Sequence, residues 1–246
     1  VSKVEVLFEK MEASCNVVAL TGAGVSVASG IPDYRSVKGV YQGLEQPEYL
    51  LSRTCFEQEP HKFYQFVKNL YHSEAKANII HHELQDLIMA KGTGGIITQN
   101  IDQLHGQYGS AEVVEFHGSL YRCYCTKCRR FIDSCDYLVS AYHPNCGGII
   151  RPDIVLYEEG LDDLVVNRSK ELINQADLIL IVGTSFKVFP FCQLLNFKNE
   201  LSDVIVINDR SIMIDVPHEM VIGKAESFFE EMNEWRMKNN AKKPTR

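Results

Sequence analysis

Cys123, Cys125 and Cys128 crowd into the run CYCTKC, and Cys146 follows in HPNCGGIIRPD with His143 three residues before it. Thiolate and imidazole are zinc donors, and the Gly147–Gly148 pair suits a turn whose backbone N–H groups point at a thiolate. Disulfide frameworks belong to small secreted chains, so a cysteine cluster inside 246 residues reads as metal binding. Residue types alone leave open whether His143 is the missing ligand or the site has lost its metal. Cys15, Cys55 and Cys192 sit among apolar neighbours and are expected to be buried spectators.

A second group of polar residues follows apolar runs. In TGAGVSVASGIPDYRS, Gly22 and Gly24 permit a tight turn and close approach to a pyrophosphate. A bare Gly-x-Gly serves equally well as a structural turn. The continuation, with an acid, an aromatic and an arginine together, is more informative. TQNIDQLH places Gln99, Asn100 and Asp102 where an apolar run stops. One such residue is ordinarily a helix cap; three together suggest a binding site. EFHGS ends another run with His117, a side chain able to act as a base near neutral pH. In VGTS and IND, Thr184 and Ser185 suit a phosphate and Asn208 a ribose hydroxyl, although each alone would serve as a helix cap.

The elements that must position these residues alternate. VEVLFEKMEA, HKFYQFVKNLY, NIIHHELQDLIMAKG (stopped by Gly92), LDDLVVNRSKELINQA and AESFFEEMNEWRMKNN have helical spacing. NVVALTGAG, GGIIT, EVVEF, DLILIVG and DVIVIND read as buried strands. Such alternation predicts an α/β fold, a doubly wound parallel Rossmann-like sheet. Two breaks in the pattern, at 36–76 and 118–150, predict insertions that form a smaller lobe.

Composition narrows the class. Hydrophobic content of 45% and charged content of 23% are ordinary for a soluble globular protein. No apolar run approaches the ~18 residues of a membrane span, and no signal-peptide pattern opens the chain. The expectation is a cytoplasmic protein that does not engage membranes. A net charge of −7 argues against nucleic acid as partner, yet an acidic surface attracts Lys-rich peptides. The basic end, KNNAKKPTR, reads as a solvated tail.

Six motifs, in order over residues 16 to about 226, resemble the sirtuin family of NAD-dependent protein lysine deacylases: GAGVSVASGIPDYR, TQNID, FHG, IRPDIVLYEEGL, VGTS and IND, with a paired metal-ligand region among them. The absence of long extensions points to a compact prokaryotic member. The resemblance implies a large NAD-binding domain from 1–35, 77–117 and 151–246. It implies a small domain from a helical module, 36–76, and a zinc-binding module, 118–150. NAD would be consumed: the substrate amide oxygen attacks the nicotinamide-bearing ribose carbon, and the acyl group leaves as O-acyl-ADP-ribose. Gly22, Ala23 and Gly24 would hold the pyrophosphate, and Ile31, Asp33, Tyr34 and Arg35 would close over the nicotinamide ribose. Gln99, Asn100, Ile101 and Asp102 would line the nicotinamide side. Gly183, Thr184, Ser185, Asn208, Asp209 and Ala225 would hold the adenosine half. His117, with Asn100 and Asp102, would be catalytic, acting as general base. Val27, where Thr is common, and Tyr34, where Phe is common, are tolerable departures.

Val155, Leu156 and Tyr157 would bind an acyl-lysine peptide by strand addition, with Tyr157-Glu158 standing where Phe-Gly is frequent. Members that remove succinyl or malonyl groups carry a Tyr and an Arg three residues apart. Here Tyr64 matches, but the Arg position is Val67, which predicts acetyl and other uncharged acyl groups. The family's two metal-ligand pairs give the cysteine run a register: Cys125 and Cys128, then His143 and Cys146, around one structural zinc. Cys123 or Cys135 could substitute for His143. Two other readings stand beside deacylation: protein mono-ADP-ribosyl transfer, and a non-catalytic NAD-binding or zinc-knuckle interaction module. The presence of Asn100, Asp102 and His117 favours deacylation.

Overall fold

The computed structural model describes residues 2–32 and 47–240. In chain order, its first half holds α1 (Lys3–Ala13), β1 (Val17–Thr21), α2 (Pro47–Leu50), α3 (Arg53–Gln58), α4 (Pro60–Lys68), α5 (Ile79–Lys91), β2 (Gly94–Thr98) and β3 (Val113–Glu115). Then come β4 (Gly118–Cys125), β5 (Phe131–Asp133), α6 (Ser134–Val139), β6 (Ile150–Ile154), α7 (Asp163–Gln175), β7 (Leu178–Val182), β8 (Asp203–Asn208), β9 (Glu219–Ile222) and α8 (Ala225–Asn240).

Six strands form one parallel sheet in the order β3-β2-β1-β7-β8-β9. The chain builds outward from β1 to β3, then restarts beside β1 at β7. Strand order therefore reverses between β1 and β7, and a crevice opens there beyond the carboxyl ends, where open α/β sheets bind ligands. Strand residues alternate between the two faces. Val17, Ala19, Leu178, Leu180, Ile205 and Ile207 pack against α1, α5 and α8. Val18, Leu20, Ile179, Ile181, Val204 and Val206 pack under α7 and the 191–197 segment. With both faces covered, these strands read as unbroken apolar runs rather than as alternation. β9 escaped notice in the sequence because it is a short, half-exposed edge strand.

The smaller sheet is antiparallel, ordered β5-β4-β6. It shares a separate core with α2, α3 and α4, built on Leu50, Cys55, Phe63, Leu120, Tyr137 and Ile150. Cys55 is buried and Cys192 half-buried, but Cys15 is exposed. Cys15 lies in the link after α1, with its N–H on the Asp177 carboxylate at 2.7 Å, and so never enters the core. Among the described residues, no helix is long and apolar enough to cross a membrane.

Candidate active site

Because the six strands are parallel, their carboxyl ends share one edge, and the sequence's polar clusters all fall there. β1 runs into Gly22, β2 into Gln99, β7 into Gly183 and β8 into Asp209; Phe116 and His117 follow β3. The Gly22–Gly24 turn lies flat on the loop after β7: Gly22 N–H donates to the Val182 carbonyl at 3.2 Å and Gly24 N–H to the Gly183 carbonyl at 2.8 Å. A Cβ on Gly22 would stand 2.7 Å from Thr184 Cβ, and one on Gly24 would stand 2.8 Å from the Gly183 backbone. Any side chain there would push the turn off β7. Asn78, at the start of α5, holds the turn's far side, with Nδ2 donating to Val25 O and Ser29 Oγ, both at 2.8 Å.

A cleft of about 740 Å³ opens beside this turn, lined by Ala23, Ile31, Gln99, Asn100, Asp102 and His117 among others. A polar chain fixes its floor. Asn100 Nδ2 donates to Gly22 O at 3.1 Å and to Ser26 Oγ at 3.0 Å, and Ser26 Oγ donates to Asp102 Oδ2 at 2.6 Å. Leu104 N–H reaches the other Asp102 oxygen at 3.0 Å. Burial raises the Asp102 carboxyl above its ordinary value, and the Ser26 and Leu104 donors only partly offset it. His117 Nδ1 lies 3.1 Å from the Gln99 carbonyl. A carbonyl only accepts, so the proton of neutral imidazole sits on Nδ1, and Nε2 is the basic nitrogen.

Placement of the other expected residues is mixed. Ile101, Val155, Leu156 and Tyr157 line the cleft. Thr184 joins it through its hydroxyl, which donates to Gln99 Oε1 at 2.8 Å. Ser185, Asn208, Asp209 and Ala225 stand at or beyond the ends of β7 to β9, outside the cleft lining, and Val27 is exposed. Asp33, Tyr34 and Arg35 lie outside the described residues. Tyr64 and Val67 stand back from the cleft: Tyr64 gives its hydroxyl to the Leu138 carbonyl at 3.1 Å, and Val67 is wholly buried in the small core. The wall in that direction comes from Asn69, Leu70 and His72, just past the end of α4. Sequence reading missed these three, and also Ser26, Val188 and Phe189. Ser26 had a signal, a hydroxyl beside the glycine turn; the loop residues had no periodicity to mark them.

The fourteen-residue gap between the two halves of the metal set closes in the small sheet. Cys125 ends β4 and pairs with Ile150 of β6, so Cys146, four residues earlier, turns back onto it. Cys125 Sγ and Cys146 Sγ are 3.5 Å apart. His143 Nδ1 lies 3.3 Å from Cys128 Sγ and 3.2 Å from Cys146 Sγ. All four donor atoms fall within 4.8 Å of one another. A tetrahedral zinc with Zn–S near 2.3 Å and Zn–N near 2.0 Å separates its donors by roughly 3.5–3.8 Å. The three close donor pairs, at 3.2–3.5 Å, lie within a few tenths of an ångström of that spacing. Burial raises the Cys125 thiol, but the N–H groups of Cys128 and Lys127 outweigh it and hold the thiol below its ordinary value. Cys123 is buried in the small core against Leu120, and Cys135 is exposed on α6. Neither joins the cluster, which is formed by Cys125, Cys128, His143 and Cys146.

The sequence profile of the Sir2 family matches residues 22–190. The chain belongs to the Sir2 family. An NAD-dependent protein deacetylase of Enterococcus faecalis is 53% identical over 213 residues, covering 87% of this chain and 90% of that protein. One from Listeria innocua is 48% identical over 227 residues, covering 92% and 99%. A solved Sir2 complex with a deacetylated p53 peptide and 3′-O-acetyl-ADP-ribose superposes with a TM-score of 0.85 at 27% identity, covering 95% of this chain and 98% of that one.

Behind the floor of this Sir2 cleft lie two buried imidazoles. His105 Nε2 is 2.9 Å from Thr21 Oγ1, at the end of β1, and the rings of His81 and His105 are 4.6 Å apart. His81 Nδ1 accepts the Asn78 N–H at 3.2 Å. Among the described residues, His81 Nε2 and His105 Nδ1 have no hydrogen-bond partner. Burial depresses both, His81 to about 4. Below the ordinary histidine value near 6.5, the unfolded chain takes up protons that the folded pair refuses. Stability is therefore lost as pH falls from about 6.5 toward 4, by about 3 kcal/mol from His81 alone. Melting temperatures measured across that window should drop more steeply for wild type than for His81→Gln; parallel curves would show that the pair is not the cause.

Proposed function

We propose that the chain is an NAD-dependent protein lysine deacetylase that releases nicotinamide and passes the acetyl group to ADP-ribose. The convergence of Asn100, Asp102 and His117 on one cleft, beside a glycine turn at the sheet's switch point, carries this reading. NAD fits the residues present: Gln99 lines the cleft, and its Nε2 is buried with no partner among the described residues, a donor available to a cofactor oxygen. When bound, NAD supplies a sugar carbon with nicotinamide as leaving group and the ADP-ribose that accepts the acetyl group.

The chain's own groups divide the remaining work. Ala23 N–H, Thr184, Ser185 and Asn208 would bind the dinucleotide, with Gly22 and Gly24 holding the turn close on β7. Asn100 and Asp102, locked by Ser26, would orient the nicotinamide amide. His117 Nε2 takes a proton from a hydroxyl. Leu70, Leu120, Ile154 and Leu156 exclude water from the acyl-lysine. Zinc has no part in the chemistry, because its protein donors already number four. The division at 1–35, 77–117 and 151–246 against 36–76 and 118–150 belongs to the same reading, supported by the separate small core. So does a cytoplasmic site, whose reducing conditions keep Cys125, Cys128 and Cys146 from forming disulfides.

The deciding experiment incubates the protein with an acetyl-lysine peptide and follows nicotinamide release and intact peptide mass. Loss of acetyl that requires NAD supports the reading. A gain of ADP-ribose would instead identify a transferase, and no release from well-folded protein a silent module. Acyl choice follows from charge. Among the described lining residues, Asp102, Glu158 and Glu159 are acidic and none is Lys or Arg, so a succinyl carboxylate finds no fixed cation. On matched peptides, deacetylation should exceed desuccinylation at least tenfold, and comparable rates would overturn the preference.

A further inference from the structure

The wall that faces the acyl-peptide is a short turn, Ile154 to Glu159, and every one of its residues lines the cleft. β6 stops at Ile154, so no continuing strand ladder shapes this turn. What shapes it lies behind it. Arg151 is buried and absent from the lining, yet its guanidinium makes a two-pronged pair with Glu159, Nη1 to Oε1 at 2.7 Å and Nη2 to Oε2 at 3.0 Å. Nη2 also donates to the Ile154 carbonyl at 2.8 Å, and Glu159 Oε2 accepts the Leu156 N–H at 3.0 Å. One ion pair thus holds two consecutive peptide groups of the turn, the one joining Ile154 to Val155 and the one joining Val155 to Leu156. The first of these is also fixed from the other side, with Val155 N–H on the His117 carbonyl at 3.0 Å. Tyr157 is tied to the start of α3, its N–H on Leu51 O and its carbonyl under Arg53 N–H, both at 3.0 Å.

The guanidinium is itself placed by two rings, Phe56 of α3 at 5.2 Å and Tyr124 of β4 at 5.9 Å. A planar fork that can grip both carboxylate oxygens and a carbonyl at once is a property of Arg that Lys lacks. A buried pair of this kind is poor evidence of added stability but good evidence of a fixed geometry.

We propose that Arg151 and Glu159 are positioning residues for the acyl-peptide: their ion pair sets the backbone of residues 154–156 against the backbone of His117, and so places the substrate without touching its reacting atoms. The proposal rests on the deacetylase reading. It separates peptide binding from cofactor binding, because the pair reaches the peptide wall and His117 but none of the Gly22, Gln99 or Thr184 contacts.

Steady-state kinetics with NAD and acetyl-lysine peptide varied independently tests it, on Arg151→Lys and on Glu159→Gln. Glu159→Gln keeps side-chain size and so serves if the Lys variant folds poorly. Zinc content and melting temperature are measured on each. The expected result is a peptide KM raised at least tenfold in both variants, with kcat within about threefold of wild type, an unchanged KM for NAD and one zinc per chain. An unchanged peptide KM in a folded Glu159→Gln protein overturns the proposal while leaving the deacetylase reading intact. So does an equal rise in both KM values, which would mark general loosening. Wild type that neither binds nor deacetylates the peptide sinks both.

Discussion

His117→Ala is expected to lower kcat for deacetylation by about 10²–10⁴-fold, the usual worth of a positioned general base, with little change in melting temperature or in KM for NAD. The geometry sets this split. His117 follows β3, whose last turn is tied to β2 by the Phe116 N–H on the Thr98 carbonyl at 2.9 Å, so its backbone belongs to the rigid sheet. The ring packs edge-on against Phe116, at a centroid distance of 5.4 Å. The Gln99 carbonyl fixes the tautomer. The side chain is half-buried at the cleft, so truncation opens space to the cleft rather than a closed core cavity. The polar chain of Asn100, Ser26 and Asp102 does not pass through it. Nicotinamide release with acetyl-peptide, measured for both proteins, checks the role. Equal release would remove His117 from the chemistry.

Most of the large sheet was legible because burial on both faces writes strands as short apolar runs. VVALT, LILIV and DVIVIN need no partner information to be recognised. Gln99, Asn100, Asp102 and His117 were legible as a consequence, since parallel strands must deliver their ends to one edge. The small sheet was not: β4, GSLYRCYC, mixes buried and exposed residues around a bulge, and its partner β6 lies more than twenty residues on. The position of Tyr64 and Val67 was missed for a related reason. Helical spacing reveals that α4 has a buried face, but not whether that face meets the cleft or the aromatic core around Tyr137, which it does at a centroid distance of 5.1 Å. Phe189 and His72 reach the cleft from irregular segments, where only tertiary structure decides direction. Cys15 sits among apolar letters, yet the helix ends before it and the neighbours' burial does not extend to it.

The metal set yields the other large effect. His143→Ala should reduce bound zinc from one per chain to well below stoichiometric and lower the melting temperature, whereas His143→Cys should keep the metal. Cysteine restores a fourth thiolate, and a Cys₄ set is as acceptable to zinc as Cys₃His. The knuckle that presents it depends on its glycines. Gly147 has φ +65°, a region that favours glycine. A Cβ on Gly148 would stand 2.5 Å from Cys125 Sγ, inside the space that the metal ligand occupies. Gly148→Ala should therefore lose zinc as surely as loss of a ligand, although no donor atom is changed. Elemental analysis alongside thermal melting distinguishes the cases. Full zinc retention by His143→Ala would mean that another donor completes the set, which Cys123 could do only by leaving the small core and Cys135 only if α6 rearranged. The consequence extends past the metal, because β6 starts four residues after Cys146 and ends at Ile154 in the cleft wall. Chelation should thus depress deacetylation through the wall, by raising the peptide KM before kcat is affected, with zinc itself never in contact with substrate.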